Sequence, residues 1–84
     1  PEDGPTQSMT IRQRAFINTA YLKSGESLGY RPRWGGQLWI QLISGSLQID
    51  QHDLGPGDGL ACTQVEHLIL NATKDAEVLL FDLA

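Results

Sequence analysis

Two histidines, one cysteine and a handful of carboxylates are the residues of this 84-residue sequence that could carry chemistry. His67 and Asn71 are four positions apart, so on a strand they share a face and could act together as metal ligands. Leu68 and Leu70 are the natural inward pair of that strand, which places His67 and Asn71 on the opposite, outward face. One imidazole without companions does not hold a metal. His67 and Asn71 are therefore weak metal candidates, and we expect no metal site in this chain.

A nucleophile or zinc cluster made of Cys62, Glu66 and His67 is the other arrangement that the spacing suggests. Glu66 and His67 are adjacent, so in a strand they project to opposite faces, and such a site needs a bulge. We expect Cys62 to be a small buried hydrophobe instead. His52 lies in a predicted hairpin turn, where an exposed ring is expected. The carboxylates fall mostly in turns, and solvated carboxylates make poor general acids, so we predict no catalytic residue.

The charge balance and the cysteine count exclude several functions. Six Lys and Arg against ten Asp and Glu leave a net charge of −4. A net-acidic chain repels phosphate backbones, so we expect no nucleic-acid partner. No apolar run reaches the roughly 20 residues that cross a bilayer, which predicts no membrane partner. Cys62 is the only cysteine, so no intramolecular disulfide can form and a cytoplasmic setting is expected.

The length of the chain indicates one domain with one core. Residues 1–5, Pro-Glu-Asp-Gly-Pro, have the composition of a linker, and the first residue is not Met. We therefore interpret residues 1–8 as a linker from an upstream domain and residues 9–84 as one domain of a longer protein.

Alternation of apolar and polar residues predicts strands that are buried on one face. Residues 37–43 are almost continuously apolar, so we predict a central strand covered on both faces or nearly so. Residues 9–22 fit a helical stripe or a strand, and we choose the strand. Residues 77–83 should lie inside the sheet with a partner on each side. Turn signals separate these segments at residues 23–25, 35–36, 44–45, 51–53, 55–59 and 74–75. Short strands between regular turns are typical of an all-β sandwich or barrel.

Residues 38–47, 54–61 and 76–83 together resemble the C-terminal cupin domain of bacterial pirin-like proteins, the quercetin 2,3-dioxygenase group. Trp-Ile-Gln at 39–41 and the closing Glu-Val-Leu-Leu-Phe-Asp-Leu at 77–83 are the most specific parts. The resemblance covers nearly the whole chain and implies a small cupin barrel, which is a double-stranded β-helix or jelly roll. In that family two cupin barrels lie in tandem, and the N-terminal one holds the metal.

The resemblance also implies that this barrel has lost its metal ligands. If Gly45 is the closing glycine of the first cupin motif, the Glu position falls on Leu38 and the two His positions fall within residues 31–34, Arg-Pro-Arg-Trp. Arginine carries a fixed positive charge and proline offers no donor atom, so neither replaces a ligand. We therefore expect no cofactor in this chain, and Fe or Cu in the upstream cupin of the parent protein.

These observations favour a non-catalytic C-terminal cupin whose upstream partner would carry metal-dependent quercetin 2,3-dioxygenase activity. If Leu38 faces inward, then Trp39, Gln41 and Ile43 face outward and form the predicted interface, whose partner is that upstream cupin or the N-terminal linker. The isolated chain could then form a homo-oligomer through the same face. The alternative is a stand-alone degenerate cupin that binds a metal through His67, or a small aromatic ligand at a barrel mouth lined by Tyr30 and Trp34.

Overall fold

The computed structural model describes residues 15–84, and in that range it contains β-strands and no helix. The all-β prediction is therefore confirmed. The strands, in chain order, are β1 (Ala15–Leu22), β2 (Ser27–Tyr30), β3 (Gln37–Ile49), β4 (His52–Leu54), β5 (Gly59–Cys62) and β6 (Leu68–Leu83). The predicted linker, residues 1–8, and the first part of the predicted strand at 9–22 lie outside the described residues.

All six strands belong to one antiparallel sheet that is built around β3 and β6. β1 and β2 both pair with the far edge of β6, while β4 and β5 both pair with the far edge of β3. The closing segment of β6 thus has β1 on one side and β3 on the other. The prediction that residues 77–83 lie inside the sheet is confirmed.

Irregular pairing in the middle of β3 and β6 divides this sheet into two halves. The register between the two strands shifts three times between Leu42 and Leu47. The first half-sheet consists of β1, β5, residues 37–42 of β3 and residues 76–83 of β6. The second half-sheet consists of β2, β4, residues 47–49 of β3 and residues 68–72 of β6. The predicted turns at 44–45 and 74–75 are therefore wrong, because both lie at bulges inside continuous long strands.

The inner faces of the two half-sheets share one apolar core. Burial alternates along β3 and β6, as expected for strands with one buried face. A hydrogen bond of 2.6 Å from the Tyr30 hydroxyl on β2 to Asp82 Oδ2 on β6 joins the two halves across this core. The core contains, on the first half-sheet, Leu38, Ile40, Leu42, Ala76, Val78 and Leu80, and on the second, Leu47, Ile49, Leu54, Leu68, Leu70 and Ala72.

Candidate functional site

The barrel interior holds a leucine, Leu38, where the resemblance to cupins predicts that a carboxylate ligand has been lost. Leu38 is 2% exposed and points into the core, as do Ile40 and Leu42. Its neighbours in register are Cys62 on β5 and Asp82 on β6. Within residues 15–84, no three His, Cys, Asp or Glu side chains are grouped so that they could hold a metal ion.

His67 and Asn71 lie on the outer side of the second half-sheet. His67 is exposed, and its ring lies beside Gly29, where an added Cβ would stand 3.0 Å from the His67 Nε2. Asn71 Oδ1 accepts a hydrogen bond of 2.6 Å from the hydroxyl of Ser27. The outward orientation predicted for both residues is therefore correct, and the amide oxygen of Asn71 is already engaged with β2.

Cys62 lies half-buried on the inner side of β5, whereas Glu66 and His67 are exposed. Burial raises the pKa of the Cys62 thiol, and the nearby negative charge of Asp50 raises it further. A raised pKa leaves less thiolate at neutral pH, so this cysteine is a poor nucleophile. His52 is exposed as predicted, but it begins β4, because the hairpin turn lies earlier, at Asp50 and Gln51.

Asp82 is a buried polar residue that sequence reasoning missed. Its side chain is 0% exposed, and Oδ2 accepts hydrogen bonds from the Tyr30 hydroxyl at 2.6 Å and from the Arg33 backbone N–H at 2.8 Å. Asp82 Oδ1 has no hydrogen-bond partner within the described part of the chain. The guanidinium of Arg33 lies 3.7 Å from the ring centroid of Phe16, which is the neighbour of Asp82 on β1. The expectation that the carboxylates occupy mainly solvated turns is wrong for Asp82.

The buried carboxylate of Asp82 changes the pKa of Tyr30. Burial raises the pKa of the Tyr30 hydroxyl, and the hydrogen bond and negative charge of Asp82 raise it further. The phenol therefore keeps its proton as a donor to the carboxylate. The burial of Asp82 could have been predicted from strand alternation. Asp82 follows Val78 and Leu80 at steps of two, so it lies on the face of β6 that points into the core.

A cavity of about 330 Å³ lies between β1 and β2, where the edges of the two half-sheets face each other. The residues that line it are Asn18, Thr19, Ala20, Leu28, Tyr30, Val78 and Leu80. Trp34 was predicted to share the barrel mouth with Tyr30. That prediction is wrong for Trp34, which is 40% exposed and lies in a separate depression with Arg31 and Glu66.

The outer side of the first half-sheet carries an apolar surface. Ile17, Phe81, Trp39 and Ala61 are consecutive partners in the register of β1, β6, β3 and β5, so they form one row across four strands. In the next row, Leu79 stands between Thr19 and Gln41. We call the surface formed by Ile17, Trp39, Ile43, Leu79 and Phe81 the outer apolar face.

Trp39 and Ile43 are 39% and 44% exposed, so the outer side of β3 is open to solvent in this structure. The prediction that this strand is covered on both faces or nearly so is therefore wrong for the domain alone. Gln41 holds this region in place: its Oε1 accepts from the Trp39 indole N–H at 3.2 Å, and its amide donates to Gly57 O at 3.0 Å. The indole covers Gly59, where a side chain would overlap it.

The outer side of the second half-sheet is far more polar than the outer apolar face. It is formed mainly by polar residues and glycine: Ser27, Gly29, Gln48, Asp53, His67 and Asn71, with Ile69 as the large apolar exception. Only one of the two outer faces therefore has the composition of a contact surface.

An antiparallel all-β barrel of two half-sheets around one apolar core is the architecture of cupins. A cupin superfamily protein from Desulfitobacterium hafniense superimposes with a TM-score of 0.68 over 83% of this chain and 67% of its own, at 20% identity, which is a likeness of fold. The family described as the quercetinase C-terminal cupin domain matches residues 1–83, and this chain belongs to that family.

Two relatives from Escherichia coli are similar to this chain. Quercetin 2,3-dioxygenase of strain K12 is 38% identical over 47 residues, which are 56% of this chain and 20% of that protein. The crystal structure of YhhW superimposes with a TM-score of 0.79 at 28% identity, over 83% of this chain and 30% of that one. A second structure, of bacterial pirin YhhW in complex with nickel(II), gives a TM-score of 0.78 at 29% identity. This chain therefore spans a fifth to a third of the length of these relatives. The prediction of a cupin domain of the pirin-like type is confirmed.

None of the described residues forms a helix that is long and apolar enough to cross a membrane.

Proposed function

We propose that this domain is the non-catalytic C-terminal cupin of a two-domain pirin-like protein and that it packs against the upstream cupin. The proposal rests on the contrast between the inward and the outward side chains of β3. Leu38 fills the interior at the ligand position of the cupin pattern, while Trp39 and Ile43 on the same strand remain exposed outside. The strand is thus suited to packing on both sides and to metal binding on neither.

The chemistry of the parent would then belong to the upstream part. A Lewis-acid metal needs several N, O or S ligands and an open position for substrate. Leu38 offers no donor atom, and Asp82, the buried carboxylate nearest to it in register, belongs to no group of three His, Cys, Asp or Glu side chains within residues 15–84 that could hold a metal. The E. coli pirin with bound nickel(II) has 70% of its length outside the part that this chain covers. We place the Fe or Cu site, and the quercetin 2,3-dioxygenase reaction, in the corresponding upstream cupin of the parent.

The outer apolar face is the proposed contact with the upstream cupin. Ile17 is 57% exposed there, and it forms one row across four strands with Phe81, Trp39 and Ala61. Contiguous apolar patches on soluble proteins usually mark a contact surface, and aromatic residues dominate the energy of such contacts. We place the parent in the cytoplasm, because Cys62 is the only cysteine of this chain and is a free thiol.

Self-association of the isolated 84-residue chain tests this contact, because the face lacks its upstream partner. We expect sedimentation velocity to show a concentration-dependent dimer or larger species for the wild-type chain. Trp39→Ser and Ile43→Ser should each shift the chain toward the monomer, because each removes apolar area from the contact.

Ile69→Ser is the matched control, since Ile69 is 47% exposed, much like Ile43, but lies on the outer side of the second half-sheet. It should leave self-association unchanged. A wild-type chain that stays monomeric at high concentration, or association that is lost on Ile69→Ser and kept in Trp39→Ser, would contradict this assignment of the face.

A further inference from the structure

The free edge of β1 is the least protected strand edge of the described sheet. β1, β2, β4 and β5 each pair with one neighbour, so each has one free edge among residues 15–84. Proteins protect such edges from other chains by keeping them short or by placing charges, prolines or bulges on them. β2, β4 and β5 have only three or four residues, whereas β1 has eight. β1 also contains no charged residue, proline or glycine, and its register with β6 is continuous.

We call the side of residues 15–22 that is turned away from β6 the β1 edge. In an antiparallel pair, every second residue points its N–H and C=O groups away from the partner strand. Half of the residues of β1 therefore present backbone donors and acceptors at the β1 edge. Within the described chain, no other backbone group forms a hydrogen bond with them. A strand added at this edge would satisfy these groups.

The side chains of β1 are exposed to an unusual degree for such an apolar strand. Tyr21 and Ile17 are 74% and 57% exposed, the two highest values among the exposed large hydrophobic residues of the described chain. Both lie on the outer side of β1, two positions on either side of Thr19. On the inner side, Phe16 and Leu22 are only half-buried and lie three positions on either side of Thr19. The missing cover is therefore arranged symmetrically about Thr19.

This symmetry is what pairing between two copies of the same strand requires, because a two-fold contact uses the same surface on both partners. A two-fold axis at Thr19 places this residue opposite Thr19 of the second copy. Ile17 then lies opposite Tyr21 of the second copy, and Phe16 lies opposite its Leu22. Aromatic pairs with β-branched residues and Thr–Thr pairs are among those that stabilise antiparallel sheets. Outer residues meet outer residues in this register, so both faces of the sheet continue across the axis.

We infer that the β1 edge pairs antiparallel with the β1 edge of a second copy of this chain, with Thr19 on the two-fold axis. The first half-sheets of the two copies then form one continuous sheet through residues 16–22 of each. Since β1 has no charged residue, no like charges meet in this contact. The inference does not rest on the proposed function, because the second copy joins the sheet at its edge, whereas the upstream cupin would cover the outer apolar face.

Charge substitutions at Thr19 test the inference by sedimentation velocity. Thr19→Lys and Thr19→Glu each place two like charges opposite each other on the axis, so each variant alone should dimerise at least about tenfold more weakly than its parent chain. An equimolar mixture of the two should restore the dimer, because Lys then faces Glu. Thr63→Lys adds the same charge at an exposed position after β5 and should leave dimerisation unchanged. All variants are made in the Trp39→Ser chain, which weakens contacts through the outer apolar face, so failure here leaves the proposed function untouched.

Amide hydrogen exchange shows what covers the β1 edge. Every second amide of β1 should gain protection as the concentration of the chain rises, because its hydrogen bond forms only in the dimer. The inference is overturned if the Lys and Glu variants dimerise as their parent does, or if their mixture does not restore the dimer. It is also overturned if those amides are equally protected at every concentration, because a segment of the same chain then covers the edge.

Discussion

Replacing Gly45 by alanine should cost a large part of the stability of the domain. Gly45 has φ +86°, a conformation that residues with a Cβ adopt only with strain of about 1–3 kcal/mol. An added Cβ would also overlap the backbone carbonyl of Asp75 and stand 2.7 Å from the Cα of Ala76. Both contacts are backbone atoms of the bulge in β6, which cannot rotate away. The two long strands would have to separate where they bend, so we expect a total loss above about 3 kcal/mol from a typical stability of about 5–15 kcal/mol.

Gly57→Ala is the matched control for Gly45→Ala. Gly57 has φ +87°, and no heavy atom lies within 4 Å of a Cβ built on it. Gly57→Ala should therefore lose only the free energy of holding an alanine in the left-handed conformation, about 1–2 kcal/mol. Urea unfolding followed by tryptophan fluorescence gives both values. Equal losses in the two variants would show that the β3–β6 bulge can accommodate a Cβ at Gly45.

The second large effect is expected at Asp82. Asp82→Ala removes the acceptor for the Tyr30 hydroxyl and for the Arg33 N–H, and both of these hydrogen bonds are partly buried. Each donor left unsatisfied costs about 1–3 kcal/mol, so the variant with two such donors should lose about 2–6 kcal/mol in the same urea experiment. Asp53→Ala, at an exposed acidic position, should stay within about 0.5 kcal/mol of the wild type.

A double-mutant cycle separates the Tyr30–Asp82 hydrogen bond from other effects of the substitution. Tyr30→Phe alone should cost less than Asp82→Ala, since the Arg33 N–H keeps its acceptor. In the double variant the hydroxyl is absent, so the combined loss should be smaller than the sum of the single losses. Additive losses would mean that this hydrogen bond does not link the two half-sheets.

Strand faces could be predicted from the sequence because alternation is a local property. Leu38, Ile40 and Leu42 fall on one side of β3 and Trp39 on the other, whatever the partner strands are. The central position of 77–83 followed from its strongly apolar character, which favours a strand with a partner on each side. The resemblance to pirin-like cupins then provided the closure into a barrel.

The bends of β3 and β6 could not be predicted in the same way. A Ser-Gly pair with a positive φ at Gly45 is compatible with a hairpin turn or with a bulge. The choice depends on the partner strand, which runs past at Asp75 and Ala76, about thirty positions later in the chain. A prediction from the local sequence alone therefore ends the strand at Ser44 and Gly45.

Asp82 was missed for a related reason. An aspartate is usually found at the surface of a protein. Strand alternation places Asp82 on the inner face, but burial there is favourable only if hydrogen-bond donors are present in the core. Those partners, Tyr30 and Arg33, stand 52 and 49 positions away in the sequence. Long-range hydrogen bonds of this kind leave no local pattern.

The metal content of the purified chain decides whether this domain has a metal site of its own. After incubation with Fe(II), Cu(II), Ni(II) or Zn(II) and removal of excess metal, elemental analysis should find no stoichiometric metal, because Leu38 fills the interior and His67 stands alone on the outer side. His67→Ala should not change the result. A content near one equivalent per chain that is lost on His67→Ala would instead establish this domain as a metal-binding cupin in its own right.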